Sequence, residues 1–592
     1  MNLIRLFRYL KKKDMLYILI SLSFIVTQVW LDLKLPDYMS EITRMVQQEG
    51  SAMSDLLRSG GMMLLCSLGS LAASFVTGFF VAKIAAGFSM RLREAVYDKV
   101  MSFSMEEISG FSTASLITRS TNDITQVQMV IAIGLQAVVK APIMAVWAII
   151  KIAGKSWQWT AVTAIAVAVL LLMIVVLFLL VVPKFTSIQR LTDNLNRVTR
   201  ENLTGIRVVR AYNAEPYQEG KFDKANAELT GTNLFTQRLM AIMSPFMSLI
   251  MSGLTLAIYW VGAYLIDAAV GFEKIGLFSD MVVFSSYAMQ VIMAFMMMTM
   301  TMIILPRAAV SARRVNEVLS TSSRITDGTV TEAPAGKEGR IEFRDVSFRY
   351  PNTVDDILHS ISFTAKKGET VAIIGSTGSG KSTLVNLIPR FYDATGGEIL
   401  VDGVNVKDYT QEALREKIGY VPQRAVLFSG TVRSNVNYGV QGSESSAAAD
   451  EPVQKALAIA QAEDFVSGME GGFDAAIAQG GTNVSGGQKQ RLSIARAVRK
   501  NPEFYIFDDA FSALDYRTDR ALRKALKQET GKATVLIVAQ RIGTIMDADQ
   551  IIVLDEGTVV GMGKHRELLR SCPVYREIAE SQLSREEIEN AG

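Results

Sequence analysis

Long uncharged apolar runs alternate with charged stretches over the first 310 residues, whereas the remainder of the chain shows short runs of both kinds. A helix crosses a bilayer with about 20 apolar residues, and each long run reaches that length. The predicted spans lie near Leu16–Leu35, Met62–Ile84, Val127–Ile152, Trp159–Val182, Met240–Ile266 and Phe278–Leu305. The first half of the chain is therefore predicted to be an all-α membrane domain of six transmembrane helices.

Basic residues set the expected orientation of these spans. Arg5, Arg8 and the run Lys11–Lys13 precede the first span, and such an excess of positive charge is typical of the cytoplasmic side. A cleavable signal peptide is the alternative, but the apolar run is too long and no small-residue cleavage site follows it. We therefore expect a multi-pass protein of the cytoplasmic membrane with its N-terminus in the cytoplasm.

The connections between the spans alternate in length. The outer connections are short, Thr43–Ser59, Gly154–Gln158 and Asp267–Gly276. The inner stretches Phe88–Asn122 and Pro183–Arg238 are long, polar and helical in pattern, which predicts helices that continue into the cytoplasm. Breaks at Ser109–Phe111 and Asn213–Pro216 predict turns far below the membrane, where a cytoplasmic domain could dock.

Five charged residues fall in or near the spans: Asp32, Lys34, Lys83, Lys140 and Lys151. A charge inside a membrane is by default a functional candidate, although a long side chain near an interface can reach water. The interfacial interpretation is favoured for Lys83 and Lys151. For Asp32 both interpretations stay open.

The sixth span is rich in methionine, at positions Met289, Met293, Met296, Met297, Met298, Met300 and Met302. Methionine adapts to irregular apolar shapes and is common on promiscuous binding surfaces, which suits a cavity for varied apolar substrates. Ordinary packing must explain several of the seven, because they occupy every face of the helix.

The pattern changes at Arg340, where short β-rich runs begin to alternate with helical ones and predict an α/β domain. The polar stretch Ser320–Gly339 before it reads as a linker. The predicted division is a membrane domain at 1–319, a linker at 320–339, an α/β domain at 340–580 and a C-terminal tail at 581–592.

A glycine-rich stretch follows the apolar run Thr370–Ile374 and consists of Gly375, Ser376, Thr377, Gly378, Ser379, Gly380, Lys381 and Ser382. It matches G-x-x-x-x-G-K-S between a predicted strand and a predicted helix, which is the setting of a phosphate-binding loop. Its glycines let backbone N–H groups surround a polyphosphate. Lys381 would reach the outer phosphates and the Ser382 hydroxyl would bind Mg²⁺. The sequence therefore predicts binding of a nucleoside triphosphate, and a chance glycine-rich turn is the weaker alternative.

Two further stretches fit the same chemistry. The apolar run Phe504–Phe507 delivers Asp508, a carboxylate that can hold Mg²⁺ beside the phosphates. Between the loop and this strand, Ser485, Gly486, Gly487 and Gln488 begin a predicted helix whose N–H groups suit a γ-phosphate.

Composition adds little. The net charge of +3 argues neither for nor against nucleic acid, and no nucleic-acid partner is expected. The two cysteines, Cys66 and Cys572, suggest neither a disulfide framework nor a metal site. There are only two histidines, His359 and His565.

These motifs together resemble a half-transporter of the ABC exporter family, six spans fused to one nucleotide-binding domain, over nearly the whole length. The resemblance implies ATP and Mg²⁺ as ligands, and coupling helices near 103–120 and 210–222. It also implies that Tyr350 stacks on adenine, that Thr383 joins the phosphate site, that Gln423 binds Mg²⁺, and that Asp515 belongs to the D-loop.

The chain departs from the family pattern at both catalytic positions. Asp509 stands where the family has the glutamate that acts as general base, and Gln540 stands where it has the switch histidine. Aspartate is one methylene shorter, and glutamine cannot carry a proton. Neither His359 nor His565 lies where it could substitute, and Gln479 replaces a usual glutamate before the signature. This pattern resembles the degenerate half of a heterodimeric bacterial exporter.

The resemblance implies that two nucleotide-binding domains pair head to tail, as they do in this family. Lys381, Asp508, Asp509 and Gln540 would then form a slow ATP site, while the signature Ser485–Gln488 would close over the partner's ATP. The expected partner has an intact glutamate and histidine but an altered signature.

Lipophilic small molecules are the expected cargo. A peptide or lipid exporter half, and a slow-ATPase homodimer with a regulatory or sensing role, remain alternatives. An importer subunit fits less well, because the cassette is fused and the inner helices are long.

Overall fold

The computed structural model describes residues 2–48, 52–153, 156–270, 273–334, 336–351, 353–440 and 450–584. Within these ranges the structure describes only the backbone of eight residues, Leu135, Val182, Thr186, Met300, Thr301, Met302, Ile303 and Pro306. Two of the seven methionines of the sixth span, and most of the predicted C-terminal tail, therefore lie outside it. The chain divides into two compact units, Met1–Met101 with Thr113–Thr321, and Ser102–Ser112 with Ser322–Gly592.

The N-terminal part of the chain is helical. Its helices are α1 (Asn2–Leu6), α2 (Lys12–Gln47), α3 (Met53–Met101), α4 (Met105–Phe111), α5 (Thr113–Thr118), α6 (Ile124–Met129), α7 (Leu135–Ala153), α8 (Trp157–Thr204), α9 (Ile206–Ala211), α10 (Glu215–Ala268) and α11 (Glu273–Ser320). A 3₁₀ turn at Phe7–Tyr9 and π-helical turns at Arg119–Asp123 and Val130–Gly134 complete it. All of these belong to the first unit except α4, which belongs to the second.

Six described segments of the first unit are long and apolar enough to cross a membrane, which confirms the predicted number of spans. They are α2, α3, the run Thr113–Ala153, α8, α10 and the part Glu273–Thr299 of α11. At 1.5 Å per residue, the 54 residues of α10 extend about 80 Å. This far exceeds the roughly 30 Å hydrocarbon core of a bilayer, so the long helices continue beyond it as predicted.

The charges inside the spans are paired. Asp32 lies 3.3 Å from Lys140, and Asp37 lies 2.7 Å from Lys151. Lys83 instead stands over the ring of Tyr17, with its Nζ atom 5.1 Å from the ring centre. Because each described charge of this group has a polar or aromatic partner, none of the five stands alone in the apolar region.

Three sheets form the β-structure of the second unit. The strands are β1 (Ile341–Phe348), β2 (Leu358–Ala365), β3 (Thr370–Gly375), β4 (Gly396–Val401), β5 (Val404–Asn405), β6 (Ile418–Val421), β7 (Gly430–Thr431), β8 (Ala476–Ile477), β9 (Phe504–Asp508), β10 (Thr534–Val538), β11 (Gln550–Asp555) and β12 (Thr558–Gly563). One sheet has the order β2-β1-β4-β5, the second β12-β11-β3-β10-β9-β6, and β7 pairs with β8. The second sheet is parallel except for β12.

Helices surround these sheets, as expected for an α/β domain. They are α12 (Lys381–Asn386), α13 (Gln411–Glu416), α14 (Val432–Val436), α15 (Asp450–Ile459), α16 (Glu463–Ser467), α17 (Gly486–Lys500), α18 (Tyr516–Glu529), α19 (Ile542–Ile545), α20 (His565–Ser571) and α21 (Pro573–Gln582). Strands β9 and β10 are buried at every residue. That burial explains their uninterrupted apolar sequences, which are typical of central parallel strands.

Candidate nucleotide-binding site

Three neighbouring parallel strands deliver the site residues to one edge of the sheet. Val538 of β10 lies in register with Ile373 of β3 on one side and Asp508 of β9 on the other. The carboxyl ends of parallel strands form the ligand-binding edge of such sheets. The glycine-rich loop after β3, Asp509 after β9 and Gln540 after β10 therefore leave the sheet side by side.

The loop that follows β3 requires its glycines. Gly378 and Gly380 have φ values of +88° and +94°, a left-handed region that side chains rarely adopt. At Gly375 an added Cβ would lie 2.0 Å from the carbonyl oxygen of Leu554. The backbone thus turns tightly here, and Lys381 and Ser382 begin α12 immediately after it.

The Lys381 ammonium lies inside this loop. Its Nζ donates to the carbonyl oxygens of Gly375 at 3.0 Å and Ser376 at 2.6 Å. Burial lowers the pKa of Lys381, and the nearby carboxylates of Asp509 and Asp508 oppose that shift. A buried cation within a ring of backbone groups is suited to a polyanion.

Ser382 and Asp508 place two side-chain oxygen atoms next to each other. The Ser382 hydroxyl donates to Asp508 Oδ1 at 2.8 Å. Asp508 is only 3% exposed, and its burial raises the pKa of its carboxyl group, against the hydrogen bond from Ser382. A hydroxyl and a carboxylate this close fit the preference of Mg²⁺ for oxygen ligands.

Asp509 accepts two amide hydrogen bonds on one carboxylate oxygen. Gln423 Nε2 lies 3.3 Å and Gln540 Nε2 3.0 Å from Asp509 Oδ2. The backbone of Asp509 is left-handed, with φ of +49°, and burial raises the pKa of its carboxyl group against the bond from Gln423. The two positions at which the sequence departs from the family pattern are thus in direct contact.

The glycine-rich start of α17 is held by a reciprocal cap. Ser485 Oγ accepts from the N–H of Gln488 at 3.3 Å, and Gln488 Oε1 accepts from the N–H of Ser485 at 2.8 Å. Nearby, Asp515 caps α18 by accepting from Thr518 N–H at 3.0 Å. Among the described residues, no hydrogen bond or ion pair joins Ser485–Gln488 to the loop Gly375–Ser382.

Tyr350 lies beside the helix that follows the loop. Its hydroxyl is 3.0 Å from the Thr383 hydroxyl. Its ring packs perpendicular to those of Phe348 and Tyr392, with centroids 4.9 and 5.3 Å apart. The tyrosine is thereby fixed close to the phosphate-binding loop.

Sequence reasoning missed Gln582, the last residue of α21. Its Nε2 donates to the carbonyl oxygen of Gln540 at 2.8 Å, and its Oε1 accepts from the N–H of Ile542 at 2.9 Å. Its side chain therefore holds the segment between β10 and α19 by two hydrogen bonds. No local sequence motif predicts this contact, because Gln582 lies 42 residues beyond Gln540.

The two histidines take part in other contacts. His359 N–H donates to the carbonyl oxygen of Gly557 at 2.9 Å. His565 is buried, with Nδ1 2.7 Å from the Tyr575 hydroxyl. The cysteines Cys66 and Cys572 are both free and buried.

Six apolar helices joined to an α/β domain with this strand edge define a class of protein, a nucleotide-driven membrane transporter. Residues 358–512 match the family described as ABC transporter, and residues 17–295 match the ABC transporter transmembrane region. The chain belongs to the ABC transporter family. It is an ATPase-coupled exporter of a bacterial cell membrane, and its ATPase domain binds ATP with Mg²⁺.

Its relatives include proteins with and without a described cargo. An uncharacterised ABC transporter ATP-binding protein of Mycobacterium tuberculosis (strain ATCC 25618 / H37Rv) is 40% identical, over 92% of this chain and 93% of that protein. The uncharacterised ABC transporter ATP-binding protein YfiB of Bacillus subtilis (strain 168) is 35% identical, over 96% of each. An ATP-dependent lipid A-core flippase of Pseudomonas aeruginosa is 32% identical, over 85% of this chain and 82% of that protein.

The fold is also that of a solved exporter. The structure of a bacterial Atm1-family ABC exporter with ATP bound superposes with a TM-score of 0.80, covering 96% of this chain and 99% of that chain. The sequences are 24% identical, so this likeness concerns the fold alone.

Proposed function

We propose that this chain is one half of a heterodimeric exporter that moves lipophilic small molecules out across the cytoplasmic membrane. In this proposal its own ATP site is a slow, retaining site. Its signature residues Ser485–Gln488 act on ATP held by a partner half-transporter with an intact glutamate and histidine. ATP closes the cassettes and opens the cavity outward, and hydrolysis resets it.

The contact of Asp509 with two amides is the observation that carries this proposal. A general base must approach the proton that it removes within hydrogen-bonding distance. Asp509 is one methylene shorter than glutamate, and its Oδ2 atom already accepts from Gln423 and Gln540. A displacement of about 1 Å can cost roughly 10²-fold in rate, and Gln540 offers no proton or positive charge.

The remaining residues are assigned to binding. Tyr350 stacks on adenine, the loop Gly375–Ser382 and Thr383 surround the phosphates, and Mg²⁺ is held by Ser382, Gln423 and Asp508. The Ser382–Asp508 distance of 2.8 Å supports the metal assignment. Asp515 acts from the D-loop, and the membrane, linker, nucleotide-binding and tail segments take the bounds 1–319, 320–339, 340–580 and 581–592.

Two substitutions in the purified two-chain complex test the assignment of the sites. Asp509→Asn should change steady-state ATP turnover by less than about twofold, because this site contributes little hydrolysis. Ser485→Arg should lower turnover by at least about tenfold, since a bulky cation replaces the hydroxyl that caps the helix facing the partner's ATP. Such a loss corresponds to about 1.4 kcal/mol or more of transition-state stabilisation. The reverse order of effects would refute the proposal.

The chain purified alone tests the main alternative. A stable homodimer with fast, drug-stimulated ATP turnover would overturn the degenerate-half assignment. A stable homodimer with slow turnover and no transport in vesicles would favour a regulatory or sensing role instead.

A lipid is the second candidate cargo, because a relative named as an ATP-dependent lipid A-core flippase is 32% identical over most of this chain. Inside-out vesicles carrying the complex distinguish the two cargoes. ATP-dependent accumulation of a lipophilic dye supports the first candidate. Movement of a fluorescent phospholipid between leaflets, without dye accumulation, supports the second.

A further inference from the structure

A cavity of about 450 Å³ lies beside Tyr350 in the second unit. Its lining includes the aromatic rings of Phe348, Tyr350 and Tyr392 and the charged side chains of Glu106 and Arg324. Two parts of the chain far apart in sequence therefore meet at this cavity, the short helix α4 and the domain that carries the phosphate-binding loop.

The polar rim of the cavity is an ion pair. Arg324 Nη1 lies 2.6 Å from Glu106 Oε1. The Glu106 side chain is 24% exposed, whereas that of Arg324 is 72% exposed. Burial raises the pKa of Tyr392, and the nearby charge of Glu106 adds to that shift.

The neighbouring Glu107 fixes the position of α4. Its Oε2 accepts from the N–H of Ser104 at 2.8 Å, and its Oε1 accepts from the N–H of Arg324 at 3.2 Å. Helix α4 and the linker that leads into the nucleotide-binding domain are thus joined at one carboxylate. Glu106, the next residue in the chain, is held at the cavity rim as a result.

With adenine stacked on Tyr350, as proposed, this cavity would hold the base of the nucleotide. The Tyr350 hydroxyl is 3.0 Å from Thr383, in the first turn of the helix that follows the phosphate-binding loop. A base stacks on an aromatic face with roughly 1–3 kcal/mol, whichever base it is. Stacking on Tyr350 alone therefore cannot distinguish adenine from guanine, and discrimination requires a polar group at the base edge.

We propose that Glu106 reads the edge of the base and makes this site selective for adenine over guanine. Adenine presents a 6-amino donor beside the N1 acceptor, whereas guanine presents an oxygen acceptor at position 6. The Glu106 carboxylate, which only accepts hydrogen bonds, accepts from the adenine amino group and repels the guanine oxygen. The inference rests on the proposed placement of the nucleotide at Tyr350.

Photolabelling of this chain by radioactive 8-azido-ATP tests the inference at its own site, without hydrolysis. The two-chain complex is labelled on ice in the presence of unlabelled ATP or GTP, and the label in this chain is read after the chains are separated. In Glu106→Gln, the amide can donate to the guanine oxygen. We therefore expect the preference for ATP over GTP, measured as the ratio of competing concentrations, to fall about tenfold, the loss of one charge-assisted hydrogen bond.

Glu107→Gln is the matched control. It loosens the tie between α4 and Arg324 without removing the group at the base edge, so it should weaken ATP and GTP equally and leave their ratio unchanged. An unchanged ratio in Glu106→Gln, or an equal fall in both variants, overturns the proposal. If 8-azido-ATP labels this chain without competition by ATP, the proposed nucleotide site itself fails.

Discussion

The length and contacts of the Asp509 side chain determine where its carboxylate can reach. Its carboxylate leaves β9 directly after Asp508, as a catalytic base would, yet its Oδ2 atom is bound by the amides of Gln423 and Gln540. Aspartate and glutamate have nearly the same acidity. If this site is slow, as proposed, the cause is therefore the reach of the carboxylate and not its acidity.

Restoring both departures should accelerate this site. Under the proposed assignment, Ser485→Arg blocks the partner's site, so the residual ATP hydrolysis in this background reports on the site of this chain. Adding Asp509→Glu and Gln540→His should raise that residual rate at least about tenfold, because the carboxylate regains reach and the switch regains a proton carrier. The measurement is release of labelled phosphate, with Asp509→Asn in the same background as the control that should lower it. An unchanged rate would show that these two residues do not limit hydrolysis here.

Some site residues could be predicted from the sequence, but their contacts with one another could not. The loop Gly375–Ser382 was predictable, since its chemistry resides in consecutive residues whose glycines are required by local backbone geometry. The hydrogen bonds from Gln423 and Gln540 to Asp509 could be predicted only with knowledge of the strand order. The ends of β9 and β10 are neighbours only because both strands pair in parallel.

At the scale of elements, α19 depends on a helix far along the chain. Its N-cap, Arg541, makes no side-chain cap, so its first N–H groups need other acceptors. Gln582 supplies one to Ile542 and also donates to the carbonyl oxygen of Gln540. The end of α21 therefore sets the position of the Gln540 backbone, which no pattern near Gln540 could indicate.

Removing the Gln582 clamp, meaning its hydrogen bonds to Gln540 and Ile542, should speed ATP release more than it lowers the melting temperature. Gln582→Ala deletes two hydrogen bonds of about 1 kcal/mol each, so we expect ATP to leave the site of this chain faster, by up to about thirtyfold. Gln582→Glu keeps the acceptor for Ile542 and loses the donor to Gln540, so it should give an intermediate rate. Filter binding of labelled ATP measures the release. Unaltered release from Gln582→Ala, with an unchanged melting temperature, would show that the clamp is dispensable.

For the whole molecule, the number of spans in the first unit could be predicted from the sequence, whereas the composition of the second unit could not. The six spans were predictable because the membrane demands long apolar helices with internally satisfied backbones. The sequence predicted a coupling region near 103–120, but it could not indicate that α4 belongs to the second unit, with Glu107 bound to Arg324 of the linker. That contact joins residues 217 positions apart.

The second half of α2 is joined to α7 and α11 by polar contacts. Asp37 bonds with Lys151 at 2.7 Å and with the Tyr287 hydroxyl at 2.6 Å, and the hydroxyls of Ser40 and Ser279 are 2.7 Å apart. Such groups are costly in hydrocarbon but are readily hydrated. We call these contacts of α2 with α7 and α11 the polar seam. It can separate into a water-filled cleft at a lower free-energy cost than an apolar contact, and outward opening of an exporter requires such a separation.

Locking this seam should therefore stop transport. A Ser40→Cys, Ser279→Cys pair in a Cys66→Ala, Cys572→Ala background places two thiols where hydroxyls are now 2.7 Å apart, close to the 2.0 Å length of a disulfide. Oxidation should abolish ATP-driven transport in vesicles, and reduction should restore it, because α2 can no longer leave α11. Each single cysteine variant should be insensitive to both treatments. Full transport by completely cross-linked protein would mean that the seam stays closed throughout the cycle, and that the cavity opens along another boundary of the helical unit.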